Sequence, residues 1–150
     1  MRIRIVFVAA VLLAAAAVVH GQAAAAPPPS GNAALTGVWR GEMNGLPAIA
    51  LVITDEGGSL SGAVLFYFQQ RKTVNDPYTN TAGVPEPMLT PSFDGRTLLF
   101  SISHRRAHPP RSLNDPPVRF RLTLTAPGKA ELVNESERGG PAGLLVRSDY

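Results

Sequence analysis

The chain predicts an all-β fold, an eight-stranded antiparallel up-and-down barrel, and three observations carry that prediction. Apolar and polar residues alternate with a period of two in eight short runs, no stretch after residue 35 sustains a helical period, and turn chemistry separates most of the runs. Closing such a sheet removes both of its edges, which makes a small barrel a stable solution at this size. A two-sheet β-sandwich is the alternative arrangement of the same runs.

The first run covers residues 36–43 and stops at Asn44-Gly45. The second, 48–54, alternates Ile49, Leu51 and Ile53 before Asp55-Glu56-Gly57-Gly58. The third, 59–69, is the most apolar: Leu60, Gly62, Val64, Phe66 and Phe68 share the inward face, and Ala63, Leu65 and Tyr67 the other. The fourth, 87–93, contains Pro87 and Pro91, which cannot donate to a ladder, so it is short or at an edge. Asp94-Gly95 then predicts a hairpin with both residues at the positive φ of a type I′ turn. The fifth run, 96–104, places Leu98, Phe100, Ile102 and His104 on one face. The sixth, 118–125, points Val118, Phe120, Leu122 and Leu124 inward, and Pro127-Gly128 turns the chain into the seventh, 130–135. The eighth is 144–148.

Loop length adds a second inference. In an up-and-down order the connections alternate between the two ends of the strands. Those after runs two, four and six are tight, whereas residues 70–86, 105–117 and 136–143 form the long ones. All three long loops therefore fall at one end, which is the expected mouth.

The segments before the domain have their own signatures. Arg2 and Arg4, the apolar stretch 5–19 and the small residues Gly21 and Ala23 to Ala26 form the pattern of a secretory signal, assigned to residues 1–25. Residues 26–34, led by three consecutive prolines, predict a disordered lead-in, and 35–150 the barrel domain. Export to the periplasm or the exterior follows, with no membrane span in the mature chain. The 14 basic and 11 acidic residues give a formal net charge of +3, but two of the basic residues belong to the signal. The remaining excess is too small for a phosphate-tracking surface, so no nucleic acid is expected as a partner. With no cysteine there is neither a disulfide framework nor a thiol nucleophile.

Gly37-Val38-Trp39 with Arg40-Gly41, Gly58-Ser59-Leu60-Ser61-Gly62, Phe93-Asp94-Gly95 and Leu144-Leu145-Val146-Arg147 follow one another along the chain. In that order these short motifs resemble small secreted bacterial lipocalin-like (calycin-type) domains. The resemblance implies a barrel that binds small apolar molecules or serves as a protein-contact module. It also implies a structural trio of Gly37, Trp39 and Arg147, with the last-strand arginine stacked on the first-strand tryptophan.

Chemistry-bearing residues are few. His104 and His108 would offer a metal two ligands on a helix, but Pro109-Pro110 exclude that geometry and the surrounding arginines repel a cation, so neither metal nor cofactor is expected. Gly58-Ser59-Leu60-Ser61-Gly62 has leucine where a nucleophile elbow needs serine. No carboxylate stands out as an acid–base group, and an enzyme using His104 is the least favoured reading. Arg71, Arg105, Arg106 and Arg111 would surround the mouth, where guanidinium forks suit an anionic headgroup. Phe66, Phe68, Phe100 and Phe120 would either fill the interior or line a cavity. Together with Tyr78, His104, Arg71 and Arg105 they form the candidate site for an apolar or anionic amphiphile. The alternative is a protein-interaction or inhibitor-like accessory module that uses the exposed face of the third run, with Leu65 and Tyr67 against a partner chain.

Overall fold

A computed structural model describes residues 31–105, 111–137, 140 and 142–148. The predicted signal at 1–25, the prolines of the lead-in, and Arg106 and His108 of the basic loop lie outside these residues. Ten strands form one curled sheet: β1 (Gly37–Met43), β2 (Leu46–Glu56), β3 (Ser59–Gln70), β4 (Thr79–Ala82), β5 (Glu86–Pro87), β6 (Leu89–Phe93), β7 (Thr97–Ile102), β8 (Val118–Ala126), β9 (Lys129–Asn134) and β10 (Gly143–Ser148). Their hydrogen-bonded order is β4-β3-β2-β1-β10-β9-β8-β7-β6, with β5 paired to β3 off that path. The described pairings are antiparallel, as a chain that turns back on itself at short loops requires.

The expected runs become strands with their ends displaced by a few residues at most. The count differs in two places. The fourth run divides into β5 and β6 around Met88, because Pro87 lacks an N–H and β6 carries a register shift between Leu89 and Ser92. β4 lies inside the expected long loop 70–86 and pairs Tyr67 with Ala82 through Gln70 with Thr79. Its sequence, Thr-Asn-Thr-Ala, has no apolar alternation to announce it, and backbone pairing to the edge of β3 makes it a strand.

Turn residues explain the hairpins. Asn44 and Gly45 have φ of 54° and 73°, and Gly57 and Gly58 have 63° and 93°, so both turns use consecutive left-handed residues. At the Asp94-Gly95 hairpin only the glycine has a positive φ, 97°. Asp94 instead accepts hydrogen bonds on Oδ1 from the amides of Arg96 (2.9 Å) and Thr97 (2.6 Å), so it acts by side-chain capping and not by type I′ geometry. Those amides hold its carboxyl below its ordinary pKa of 3.8.

The apolar faces meet in one core of Trp39, Leu51, Ile53, Val64, Leu98, Phe100, Ile102, Val118, Phe120, Leu122, Ala130, Leu132 and Leu145, with Leu35 beneath it. Leu35 belongs to a capped end. Gly31–Ala34 form a 3₁₀ turn, so the disorder expected for 26–34 does not extend to these four residues. The amides of Leu35 and Thr36 donate to the Asn32 carbonyl (2.9 and 3.0 Å), and Leu35 is fully buried, which draws the turn onto the sheet.

Trp39, also fully buried, donates from its indole nitrogen to the Leu35 carbonyl at 2.7 Å. The Arg147 guanidinium lies 5.9 Å from the Trp39 ring and donates to the carbonyls of Ala33 and Ala34 (3.4 and 3.3 Å). Gly37 has a φ of 133°, and a Cβ there would sit 3.3 Å from Arg147 Cδ, so both backbone and space call for glycine. Tryptophan, arginine and turn therefore seal the end opposite the long loops.

Candidate functional site

The other end is open. Ends of β1, β3, β8 and β9 and the segments after β4, β7 and β9 surround a cleft of about 570 Å³, whose lining includes Met43, Phe66, Tyr67, Phe68, Val84, Glu86, His104, Phe120 and Asn134. The inward alternation of β3 and β8 supplies the aromatic walls. Phe120 stands opposite Asn134 across the β8–β9 ladder, and Phe66 opposite Ile49 across β2–β3. The Phe66 and Phe120 rings are 5.9 Å apart, and Phe100 stacks on Phe120 at 5.6 Å.

Glu86 is the residue that sequence reasoning missed. Directly opposed residues of an antiparallel pair share a face. Glu86 pairs with Val64, which is buried, so its side chain points inward; Pro87 pairs with Ala63 and points out. Neighbouring backbone holds this short strand in place: the Gly83 amide donates to the Phe66 carbonyl (2.8 Å) and the Met88 amide to the Gly62 carbonyl (2.9 Å). The result is a carboxylate only 2% exposed.

Its Oε1 accepts from Nδ1 of His104 at 2.8 Å, while Oε2 is buried with no hydrogen-bond partner among the described residues. His104 comes just after β7 with a φ of +54°, a left-handed backbone that costs a non-glycine residue energy. This conformation departs from the straight continuation expected of the fifth run and swings the imidazole to Glu86. The ring is 5.4 Å from Phe66 and 6.4 Å from Phe120. An ion-pair-capable couple is thus embedded in an aromatic wall.

The expected site residues divide into three groups. Phe66, Phe68, His104 and Phe120 line the cleft. Phe68 is 45% exposed and stands at the rim, not in the interior where alternation placed it, because β3 outruns the core at this end. Phe100 is buried beneath Phe120 and forms floor, not wall.

Arg71, Tyr78 and Arg105 lie elsewhere. Arg71 stacks over Tyr78 at 4.8 Å and donates to the Val74 carbonyl at 2.9 Å, beside a separate surface hollow. Arg105 is exposed. Other described arginines engage carboxylates: Arg121 and Arg119 meet Glu135 at 3.0 and 3.7 Å, and Arg111 meets Asp115 at 3.8 Å. The guanidinium-rimmed mouth is therefore not assembled from described residues. Among them, the charged or titratable groups lining the cleft are Glu86, Glu137, His104 and Tyr67.

Comparison with protein families, with characterised proteins and with solved structures finds no match. Among the described residues no helix is long and apolar enough to cross a membrane.

Proposed function

We propose that this chain is an exported, lipocalin-like barrel that holds a small, mainly apolar molecule in the cleft between its long loops. One observation carries the reading: three phenylalanines, Met43 and Val84 converge on a hollow large enough for a small ligand, while the opposite end is filled by Leu35 and Trp39. A ligand that displaces water from such walls gains about 25 cal/mol per Å² of apolar area covered.

Closure of the sheet into a barrel belongs to this proposal. Its support is the passage from β5 to β6, where one continuous segment pairs first with β3 and then, after Met88, with β7. Gly62 makes that approach feasible, since a Cβ there would run into the Val52 carbonyl oxygen and Met88 Sδ. Export rests on the basic and apolar pattern of the first 25 residues.

Calorimetric titration with 1-hexanol, a neutral apolar probe, tests the reading. Saturable binding that weakens severalfold in Phe68→Ala supports it. No binding, or binding indifferent to Phe68, contradicts it.

A second reading, contact with another protein, draws on the outer surface. Val52 on β2, and Leu144 and Val146 on β10, are 42%, 75% and 56% exposed on the two strands that flank β1. The half-buried Leu65 and Tyr67 add to it from β3. Affinity capture that recovers one partner with the native chain and loses it with Val146→Lys would favour this reading.

A further inference from the structure

We infer that Glu86 makes the cleft selective for an apolar molecule carrying a donor headgroup, a primary ammonium above all; this rests on the binding reading above. Burying a carboxylate is costly unless its oxygens are paired. A purely structural Glu86–His104 pair would satisfy the acid within the protein. Instead one oxygen is engaged at 2.8 Å and the other, Oε2, is buried without a partner among the described residues, in a residue that lines the cleft. Glu86 lines the cleft, so a turn of its carboxyl group would present this covered oxygen to a bound molecule, and the group that completes it must donate a hydrogen bond.

Charge narrows the class further. No described arginine or lysine lines the cleft, while Glu137 adds a second carboxylate. An anionic head would meet two carboxylates there and, as the one basic side chain among the described lining residues, a His104 already engaged by Glu86, whereas an ammonium would gain a charge-assisted hydrogen bond. The walls fix the remainder of the ligand, since Phe66, Phe68, Phe120 and Val84 offer no hydrogen bonds from their side chains. An aliphatic or aromatic tail with an amine at one end fits both requirements. Its ammonium would lie beside Glu86 and its tail against the phenylalanines. This polarity is opposite to the anionic amphiphile that the arginine-rich loops predict.

The test uses three probes of one chain length, 1-hexylamine, 1-hexanol and hexanoate, titrated calorimetrically at neutral pH into the native chain and Glu86→Gln. Hexylamine is expected to bind about tenfold or more tighter than hexanol, and hexanoate weakest of the three. Glu86→Gln is expected to bring hexylamine to within about twofold of hexanol. A preference for hexanoate, or an amine preference that survives Glu86→Gln, overturns the inference. If Glu86→Gln does not fold, the order of the three probes on the native chain decides: amine first supports the inference, any other order overturns it. Hexanol binding without amine preference removes this inference alone, and failure of all three probes removes the cleft reading as well.

Discussion

The two ends of this sheet are built on the same strands and solve opposite problems. At the end formed by the tight turns, Leu35 and Trp39 are both fully buried, the indole N–H has a carbonyl acceptor, and Arg147 ties the 3₁₀ turn to the last strand. At the end formed by the long loops, Phe68 and Val84 are 45% and 51% exposed, His104 adopts a left-handed backbone, and a carboxylate oxygen is buried with no partner among the described residues. The first arrangement packs its largest side chains out of solvent and gives the buried indole an acceptor. The second keeps apolar surface uncovered and polar capacity unused, which is what a site awaiting a ligand requires. At the open end a left-handed histidine and a half-engaged buried carboxylate stand side by side, and that pairing distinguishes the site from the scaffold.

Substitutions can break that contrast. Trp39→Ala removes the largest fully buried side chain and is expected to cost about 3–5 kcal/mol, read as a fall in Tm or in denaturant midpoint. Gly37→Ala places a Cβ against Arg147 at a φ of 133° and should cost about 1–3 kcal/mol in the same assays. Arg147→Ala should cost about 0.5–2 kcal/mol and leave hexanol affinity unchanged; an unchanged Tm would count against the cation–π role. At the open end the order reverses. Phe68→Ala should change stability by less than about 1 kcal/mol while weakening hexanol binding severalfold, because this ring is half in solvent.

The smallest effect is a pH dependence at a turn. Amide donors from Thr97 and Arg96 hold the Asp94 carboxyl below its ordinary 3.8 in the folded chain. Its stabilising contribution is therefore fully present above that ordinary value and disappears as pH falls through the lower folded value. Asp94→Ala should lower Tm at neutral pH, with the gap from the native chain closing in strong acid. A gap that persists there would assign the effect to something other than ionisation.

Much of the scaffold was legible because it follows from local rules. Alternation in 118–125 places Phe120 and Leu122 inward, and Asn44-Gly45 and Gly57-Gly58 form turns because their residues tolerate positive φ. The side on which the long loops gather follows from strand parity alone. The site was legible only in part. Phe66 and Phe120 could be placed by alternation, but the left-handed turn at His104 and the burial of Glu86 could not, because the latter depends on a two-residue strand that pairs with Val64 far away in sequence. The one local signal was an acid held between Pro85 and Pro87 beside Val84 and Met88. Rigid, apolar neighbours are unusual company for a solvated carboxylate. Arg71 and Arg105 were misleading for the related reason that composition locates charge in a loop without fixing its direction. Arg71 turned to Tyr78, and Arg119 and Arg121 to Glu135.

Amide and side-chain NMR shifts recorded while 1-hexanol is titrated into the native chain test the contrast between the two ends most directly. The account predicts saturable shifts at Phe66, Gly83, Val84, His104, Phe120 and Asn134, with the Trp39 indole N–H unmoved. Shifts centred on Trp39 and Leu35, or spread evenly over both ends, would contradict it.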